Sequence, residues 1–263
     1  MHINKFLTVG VTAAVLAGVV DAAPAAAAWA ASLCDDLGAQ WDGQYCHTTV
    51  TSERQAVRDI KLAIPGDLVD HPATGPVLRD YLRRLMDNWK SVAVKMVADS
   101  YGEENYQVFE HANLLSVVFR ETYHADGPDF NNAYRTFTFD MSSGQQIRLG
   151  DLMRGGMDPL AAIPPLAQPY LTAALDSAAP PHNPGTYPFV PERWMPDKVY
   201  SGAYRAWALT PDELILYLPD YPVGHDLPVD YTPGTMQWSM DGGAVQVHIP
   251  LTALQPVLRP DLY

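Results

Sequence analysis

Long apolar runs are missing from most of this sequence: after the first two dozen residues, no stretch approaches the roughly 20 apolar residues of a membrane-spanning helix. Near the start, Phe6 to Val20 carries no charge and follows Lys5. Such a run has the length of a signal-peptide core and is too short for a span. Val20 and Ala22 occupy the small-residue positions expected before a cleavage site, so we expect cleavage after Ala22, with the 25–28 alanine run as a second option. An uncleaved anchor is disfavoured by Asp21 and the proline that follows.

Cysteine is also scarce, occurring only at Cys34 and Cys46. The pair lacks both a Cys-x-x-Cys spacing and a nearby His-rich cluster, which disfavours a redox or metal pair. In an exported chain, two cysteines at close range predict a disulfide. The ring between them contains Asp42-Gly43, a dipeptide that favours a turn.

Basic residues are few: 17 Lys and Arg stand against 30 Asp and Glu, a formal net charge of −13. An acidic chain lacks the positive field that gathers phosphate groups, so nucleic acid is excluded as an expected partner. The same charge repels anionic lipid surfaces. We predict no membrane span after signal cleavage.

Familiar catalytic motifs are absent. The sequence has no Gly-x-Ser-x-Gly elbow, no His-Glu-x-x-His and no phosphate-binding glycine loop. Ser143 and Ser201 each precede a glycine, but the first fits a hairpin turn. The densest acid and histidine grouping, at 220–230, fits no calcium-loop spacing. We therefore predict no cofactor and no metal site, and the sequence identifies neither a catalytic nor a binding residue.

What the sequence does contain is one clear helix followed by strands. Apolar residues after Gly75-Pro76 recur at steps of three and four, the period of one helical face: Leu78, Leu82, Leu85, Trp89, Val92 and Met96. Period-two alternation then predicts strands at 106–110, 114–123, 134–139, 146–149, 206–209, 214–218, 236–240 and 245–249. Another strand is expected near 60–64. Between 160 and 175 a helical region is interrupted by prolines.

This order lacks regular strand–helix alternation, so it predicts an α+β fold with antiparallel sheets, packed helices and two associated lobes. We divide the chain into a signal peptide (1–22), an Ala-rich mobile tail (23–33), an N-terminal lobe with the disulfide loop and long helix (34–132), and a C-terminal α+β lobe (133–263).

Several segments carry a resemblance to a known family. They are the Cys34–Cys46 ring, Tyr134-Arg-Thr-Phe-Thr-Phe-Asp140, Gln146-Ile-Arg-Leu-Gly-Asp-Leu152, Asp158-Pro-Leu160, the 204–217 hairpin and Val247-His-Ile-Pro-Leu-Thr-Ala-Leu254. Together they resemble the secreted mycobacterial immunogenic-protein (secreted antigen) family. That family shares its C-terminal domain with the outer domain of lysozyme-sensing anti-sigma factors. Where it has Gly-Gly-x-His-Pro, this chain has Asp126-Gly-Pro-Asp-Phe130, without the histidine.

The resemblance implies a secreted, extracellular or cell-wall protein with no established catalytic residues. We accordingly expect a binding protein whose partner is a host or cell-envelope protein or a glycan. The alternative is a secreted esterase acting on short acyl esters through a Ser–His–acid set assembled from distant positions, because such sets are defined by geometry and not by sequence order.

Overall fold

The computed structural model describes residues 23–124, 131–219, 230–235 and 244–263. Within these residues, two sheets and their helices confirm the predicted α+β class. The α-helices are α1 (Ala23–Asp36), α2 (Gly66–Asp70), α3 (Gly75–Ala93), α4 (Pro159–Ala162), α5 (Pro164–Asp176) and α6 (Leu251–Leu254). Short 3-10 helices span Leu149–Leu152, Arg154–Gly156, Pro191–Trp194, Val199–Tyr204 and Pro260–Leu262.

The first sheet has its strands in chain order: β1 (Gln40–Trp41), β2 (Tyr45–Thr51), β3 (Val57–Ala63), β4 (Ser100–His111), β5 (Leu114–His124), β6 (Asn131–Asp140) and β7 (Gln145–Ile147). Neighbours pair antiparallel except β3 and β4, which are parallel. The predicted antiparallel arrangement is thus confirmed for the described strands, with the β3–β4 pair as the exception. Helices α2 and α3 intervene between the two strands and form the crossover that parallel pairing needs.

Helix α3 packs on this sheet with the predicted apolar face. Leu78, Leu82, Leu85 and Trp89 are all buried. The helix ends at Ala93, so Val92 is exposed near its end and the last residue of the predicted stripe lies beyond it. The first core forms between this helix, α1 and the sheet.

Residues 23–33 are not a mobile tail, because they form most of α1. Alanine is the strongest helix former, which favours this structure locally. The side chains of Ala30 and Leu33 are buried in the first core, and the disulfide of Cys34 fixes the helix to β2. The composition of the segment suggested a tail because so few of its residues are large enough to mark a buried face.

The second sheet contains β8 (Trp207–Leu209), β9 (Glu213–Leu218) and β10 (Val245–Pro250), in the order β10-β9-β8 and wholly antiparallel. It packs with α5 and α6 around its own core. The helical region is interrupted near its first prolines, because α4 ends at Ala162 and α5 begins at Pro164. The predicted interruption at Pro169 is wrong, since α5 continues through that residue to Asp176.

The division drawn between residues 132 and 133 falls inside β6, a strand of the first sheet. β6 pairs with β5 along its whole length, and β7 then pairs with β6, so the first sheet continues to Ile147. The predicted signal peptide (1–22) and the predicted strand at 236–240 lie outside the described residues.

The second sheet rests on the outer face of β5 and β6, opposite α3. The stacked rings of Tyr134 and Tyr217 have centroids 4.6 Å apart. The Leu209 N–H donates to Ser116 Oγ at 3.0 Å, and the Trp207 N–H donates to the Thr136 hydroxyl oxygen at the same distance. These contacts join the lobes, and the end of β4 takes part in them through Phe109, which packs against the second sheet.

Candidate functional site

A polar cleft of about 550 Å³ lies at the β1 end of the first sheet, and we call it the edge cleft. Its walls come from the end of α1, the turn into β1 and the facing part of β2. The residues that line it are Asp35, Gly38, Ala39, Gln40, His47, Thr48 and Thr49.

Several local interactions hold the walls of the edge cleft in place. Cys34 and Cys46 form the predicted disulfide, with Cα atoms 5.1 Å apart, next to the lining residues Asp35 and His47. Gly38 turns the chain with a φ of +63°, a conformation that favours glycine. Lys90 on α3 donates to the carbonyl oxygens of Leu37 and Gly38 at 2.7 and 2.9 Å.

A histidine–carboxylate contact borders this cleft on the sheet face. His47 Nε2 contacts Asp59 Oδ1, and Lys61 Nζ lies 3.5 Å from the other oxygen of that carboxylate. All three side chains are between 35% and 38% exposed. Water therefore screens these contacts, and their contribution to stability is small. Its polar groups remain accessible to a ligand.

A second cleft of about 510 Å³ adjoins the pair on the outer face of β3–β5, and we call it the face cleft. Asp59, Lys61, Tyr101, Gly102, Glu103 and Thr122 line it. The Tyr101 ring stacks on the His124 ring, with centroids 5.8 Å apart.

Hydrogen bonds organise the polar side chains beside the face cleft. The Asn105 amide donates to Glu103 at 2.8 Å, and the Tyr45 hydroxyl donates to Asn105 at 2.9 Å. Burial and the Glu103 charge raise the pKa of both Tyr45 and Tyr101. Both phenols are therefore protonated at neutral pH and act as donors as well as acceptors.

Taken together, the two clefts offer carboxylates, amides, hydroxyls, an ammonium group and an imidazole. Such a set can donate to and accept from the same ligand, which suits a molecule rich in hydroxyl groups. Sequence reasoning missed these residues, because each is one outward-facing position in a strand or turn and none belongs to a motif. The one feature of the sequence that could have pointed to them is the set of polar residues that alternate with the apolar ones along each strand.

The serines considered as nucleophiles have other roles. Ser201 is fully buried and its hydroxyl donates to the carbonyl oxygen of Lys198 at 2.8 Å. Ser143 lies in the turn between β6 and β7, as predicted. In the part of the chain that the structure describes, no hydrogen bond joins a serine hydroxyl to a histidine ring.

The acidic grouping at 220–230 lies outside the described residues except for Asp230, whose carboxylate accepts from the Thr232 N–H at 2.8 Å. Across the described ranges, no group of three or more His, Cys, Asp or Glu side chains is arranged to hold a metal ion. None of the helices in those ranges combines the length and apolar character needed to cross a bilayer.

Two segments of the chain match known protein families. Residues 150–252, which form most of the second lobe, match the family described as protein of unknown function (DUF3298). Residues 23–60, from α1 into β3, match the family described as mannan-binding protein (MVL). No curated protein matches the chain.

The solved structures that match this chain include two crystal structures of DUF3298 family proteins. The one from Pseudomonas aeruginosa PAO1 has 14% identity and a TM-score of 0.46, covering 84% of this chain and 95% of its own. The one from Bacteroides fragilis NCTC 9343 has 13% identity and a TM-score of 0.44, covering 83% and 93%. The family match at residues 150–252 is to DUF3298, and none of these comparisons names the mycobacterial antigen family that we expected from the sequence.

Proposed function

We propose that this protein is a non-enzymatic glycan-binding protein that binds an uncharged, mannan-type polysaccharide through the edge and face clefts. One observation carries the proposal: every residue that lines the edge cleft falls within 23–60, the segment that matches a mannan-binding family. The face cleft continues the same polar surface across the His47–Asp59 pair.

The chemistry of the clefts favours a neutral polyhydroxyl ligand. Gln40, Thr48 and Thr49 each present groups that donate and accept, so they can match hydroxyls of either role. The net charge of −13 disfavours a polyanionic glycan at this surface. The Tyr101 ring supplies an apolar surface against which the carbon face of a sugar ring can pack.

Export and an envelope location form part of the proposal. A basic start, a short apolar run and small residues before position 23 support a cleaved signal peptide. The Cys34–Cys46 disulfide is a bond that persists in oxidising compartments. Membership of the secreted mycobacterial antigen type, with release to the medium or retention in the cell wall, rests on the sequence resemblance.

Calorimetric titration of the mature protein with mannan and with short mannose oligomers tests the binding proposal. We expect saturable binding that weakens at least about tenfold, or about 1.4 kcal/mol, in Gln40→Ala and in His47→Ala. Gln168→Ala is the matched control, because Gln168 is exposed on α5 in the other lobe. No saturable binding, or equal binding by all three variants, would overturn the proposal.

The esterase alternative stays a prediction. Purified protein that hydrolyses a chromogenic acetyl ester above the buffer rate, with loss of that activity in one Ser→Ala variant, would support it. Equal rates with and without protein would remove it.

A further inference from the structure

A third cleft, which we call the interlobe cleft, lies where the two lobes meet and has a volume of about 340 Å³. Thr136 and Gln146 line it from the first sheet, and Arg148 follows β7 on the same side. Tyr204, Arg205 and Trp207 line it from the second lobe. It is separate from the edge and face clefts and shares no lining residue with either.

The charge of the interlobe cleft is opposite to that of the whole chain. Arg148 and Arg205 are both exposed, and neither forms an ion pair within the described residues. No acidic residue lines the cleft. Arg205 lies over the Tyr231 ring, 5.6 Å from its centroid, a contact that leaves its N–H donors free for another partner. On a protein with a net charge of −13, two unpaired guanidinium groups at one cleft form a local positive site.

Two buried aromatic residues in this cleft have unpartnered polar groups. Tyr204 is only 2% exposed and Trp207 only 5%. Neither the Tyr204 hydroxyl nor the Trp207 indole N–H forms a hydrogen bond among the described residues. Neither atom belongs to the fully enclosed polar atoms without a partner, so both reach the open space of the cleft, where a ligand can accept from them. The indole N–H of Trp207 is always a donor. The Tyr204 hydroxyl is a donor at neutral pH, because burial raises its pKa to about 12.

The backbone at the cleft is strained. Gly202, Ala203 and Tyr204 have φ values of +56°, +53° and +53°, in the left-handed region. Each non-glycine residue in that region costs on the order of 1 kcal/mol, and such residues cluster at functional sites. The strained turn directs the chain so that Tyr204 and Arg205 both reach the cleft.

We propose that the interlobe cleft binds a small acidic sugar, with its carboxylate or phosphate group held between Arg148 and Arg205 and its ring beside Tyr204 and Trp207. Guanidinium groups suit both acid groups, because their planar N–H donors match two oxygens at once. A pocket of a few hundred Å³ has the size of a small-molecule site, and this one combines two aromatic rings with arginine, threonine and glutamine side chains, as a polar ligand requires. This site is independent of the proposed mannan surface.

Isothermal titration of the full mature protein at low salt tests this inference, using glucuronate, glucose 6-phosphate and uncharged glucose as probes. We expect saturable binding of at least one of the two anions and none of glucose. Binding of glucuronate alone identifies a carboxylate site, and binding of glucose 6-phosphate alone identifies a phosphate site. Raising NaCl to 0.5 M is expected to weaken binding, since salt screens exposed charges.

Charge-removing variants assign the binding to this cleft. Arg148→Gln and Arg205→Gln are each expected to weaken anion binding at least tenfold, whereas Arg83→Gln, an exposed position on α3, leaves it unchanged. All three variants should keep the mannan affinity of the parent protein. Failure of both anions to bind, equal binding of glucose, or equal anion affinity in the three variants would overturn the inference without bearing on the mannan proposal.

Discussion

Glu104 and Glu121 lie directly opposite each other on β4 and β5, and neither side chain is exposed to solvent. Glu121 is well bonded: it accepts from Arg135 Nε at 3.1 Å, from the Tyr81 hydroxyl at 3.2 Å and from the Gly234 N–H at 3.0 Å. Neither carboxyl oxygen of Glu104 has a hydrogen-bond partner of good geometry among the described residues. Of these two buried carboxyl groups only Glu121 is paired with a cation, and their titration must shape how stability depends on pH.

The first prediction concerns Glu104→Gln. Burial raises the pKa of Glu104 well above its usual range, and the Glu121 charge adds to the rise, while the Ala63 N–H opposes it. A carboxyl group with a raised folded-state pKa contributes stability that is fully present below its ordinary pKa and is lost as pH rises through the folded value. Each pH unit between the two pKa values accounts for about 1.4 kcal/mol.

Glutamine is neutral at every pH and has nearly the same shape, so the variant should unfold at higher urea concentration than the parent at pH 8. The difference should shrink at pH 5. Glu110→Gln, at the exposed end of the same strand, is the control and should follow the parent profile. A parent protein whose stability rises between pH 5 and 8 by the same amount as that of Glu104→Gln would contradict this assignment.

The second prediction concerns Arg135, which also reaches the 230–235 segment. Its guanidinium donates to the carbonyl oxygens of Thr232 and Thr235, each at 2.9 Å. Arg135→Met leaves Glu121 buried without its cation, and breaking a buried pair in this way costs about 3–5 kcal/mol. The loss of stability should be larger at pH 8 than at pH 5. Without Arg135 the Glu121 carboxyl group takes up a proton more readily as the pH falls, and the neutral group tolerates burial better than the charged one.

A double-mutant cycle by urea denaturation checks this second prediction. Glu121→Leu combined with Arg135→Met removes both charges, so the double variant should be more stable than the Arg135→Met single variant. Additive losses in the double variant would show that Arg135 acts through its contacts with the 230–235 segment and not through Glu121.

Much of the fold could be predicted because apolar periodicity marked its elements. The stripe Leu78–Trp89 located α3, and alternation in 114–123 located β5 to within one residue. Strand β4 was only half predicted, since Gly102 and Glu104 occupy inward positions where the pattern calls for apolar residues. The buried glutamates are thus invisible to a method that reads burial from hydrophobicity.

The candidate sites could not be predicted from sequence for a different reason. His47, Asp59 and Tyr101 lie on three strands that meet only through sheet register. Arg148 and Arg205 are brought together by the packing of one lobe on the other. Neither arrangement has a fixed spacing along the chain. The disulfide was predictable because only one pairing was possible.

The third prediction concerns Gly102, whose missing side chain makes room for Trp89. A Cβ atom at this position would lie 2.8 Å from the Trp89 ring, which is itself fully buried between α3 and the sheet. Gly102→Ala should therefore destabilise the protein by about 1–3 kcal/mol through overpacking. At Gly150 an added Cβ meets nothing closer than 3.9 Å, so Gly150→Ala is the control and should change little. Equal unfolding midpoints for the two variants would refute the steric argument.

The last prediction links the disulfide to the edge cleft. The bond closes a ring with a sequence separation of 12, and opening it should cost about 2–3 kcal/mol in the chain-entropy account. Because Asp35 and His47 adjoin the two cysteines, a Cys34→Ser, Cys46→Ser variant should also lose mannan affinity at temperatures where it is still folded. Anion binding at the interlobe cleft should be unaffected, since that cleft lies between β6, β7 and the second lobe. Circular dichroism establishes that the variant is folded before titration. If mannan affinity survives in a folded, disulfide-free protein, the ring stabilises the first lobe without shaping the cleft; if both ligands are lost together, the ring acts on the whole fold.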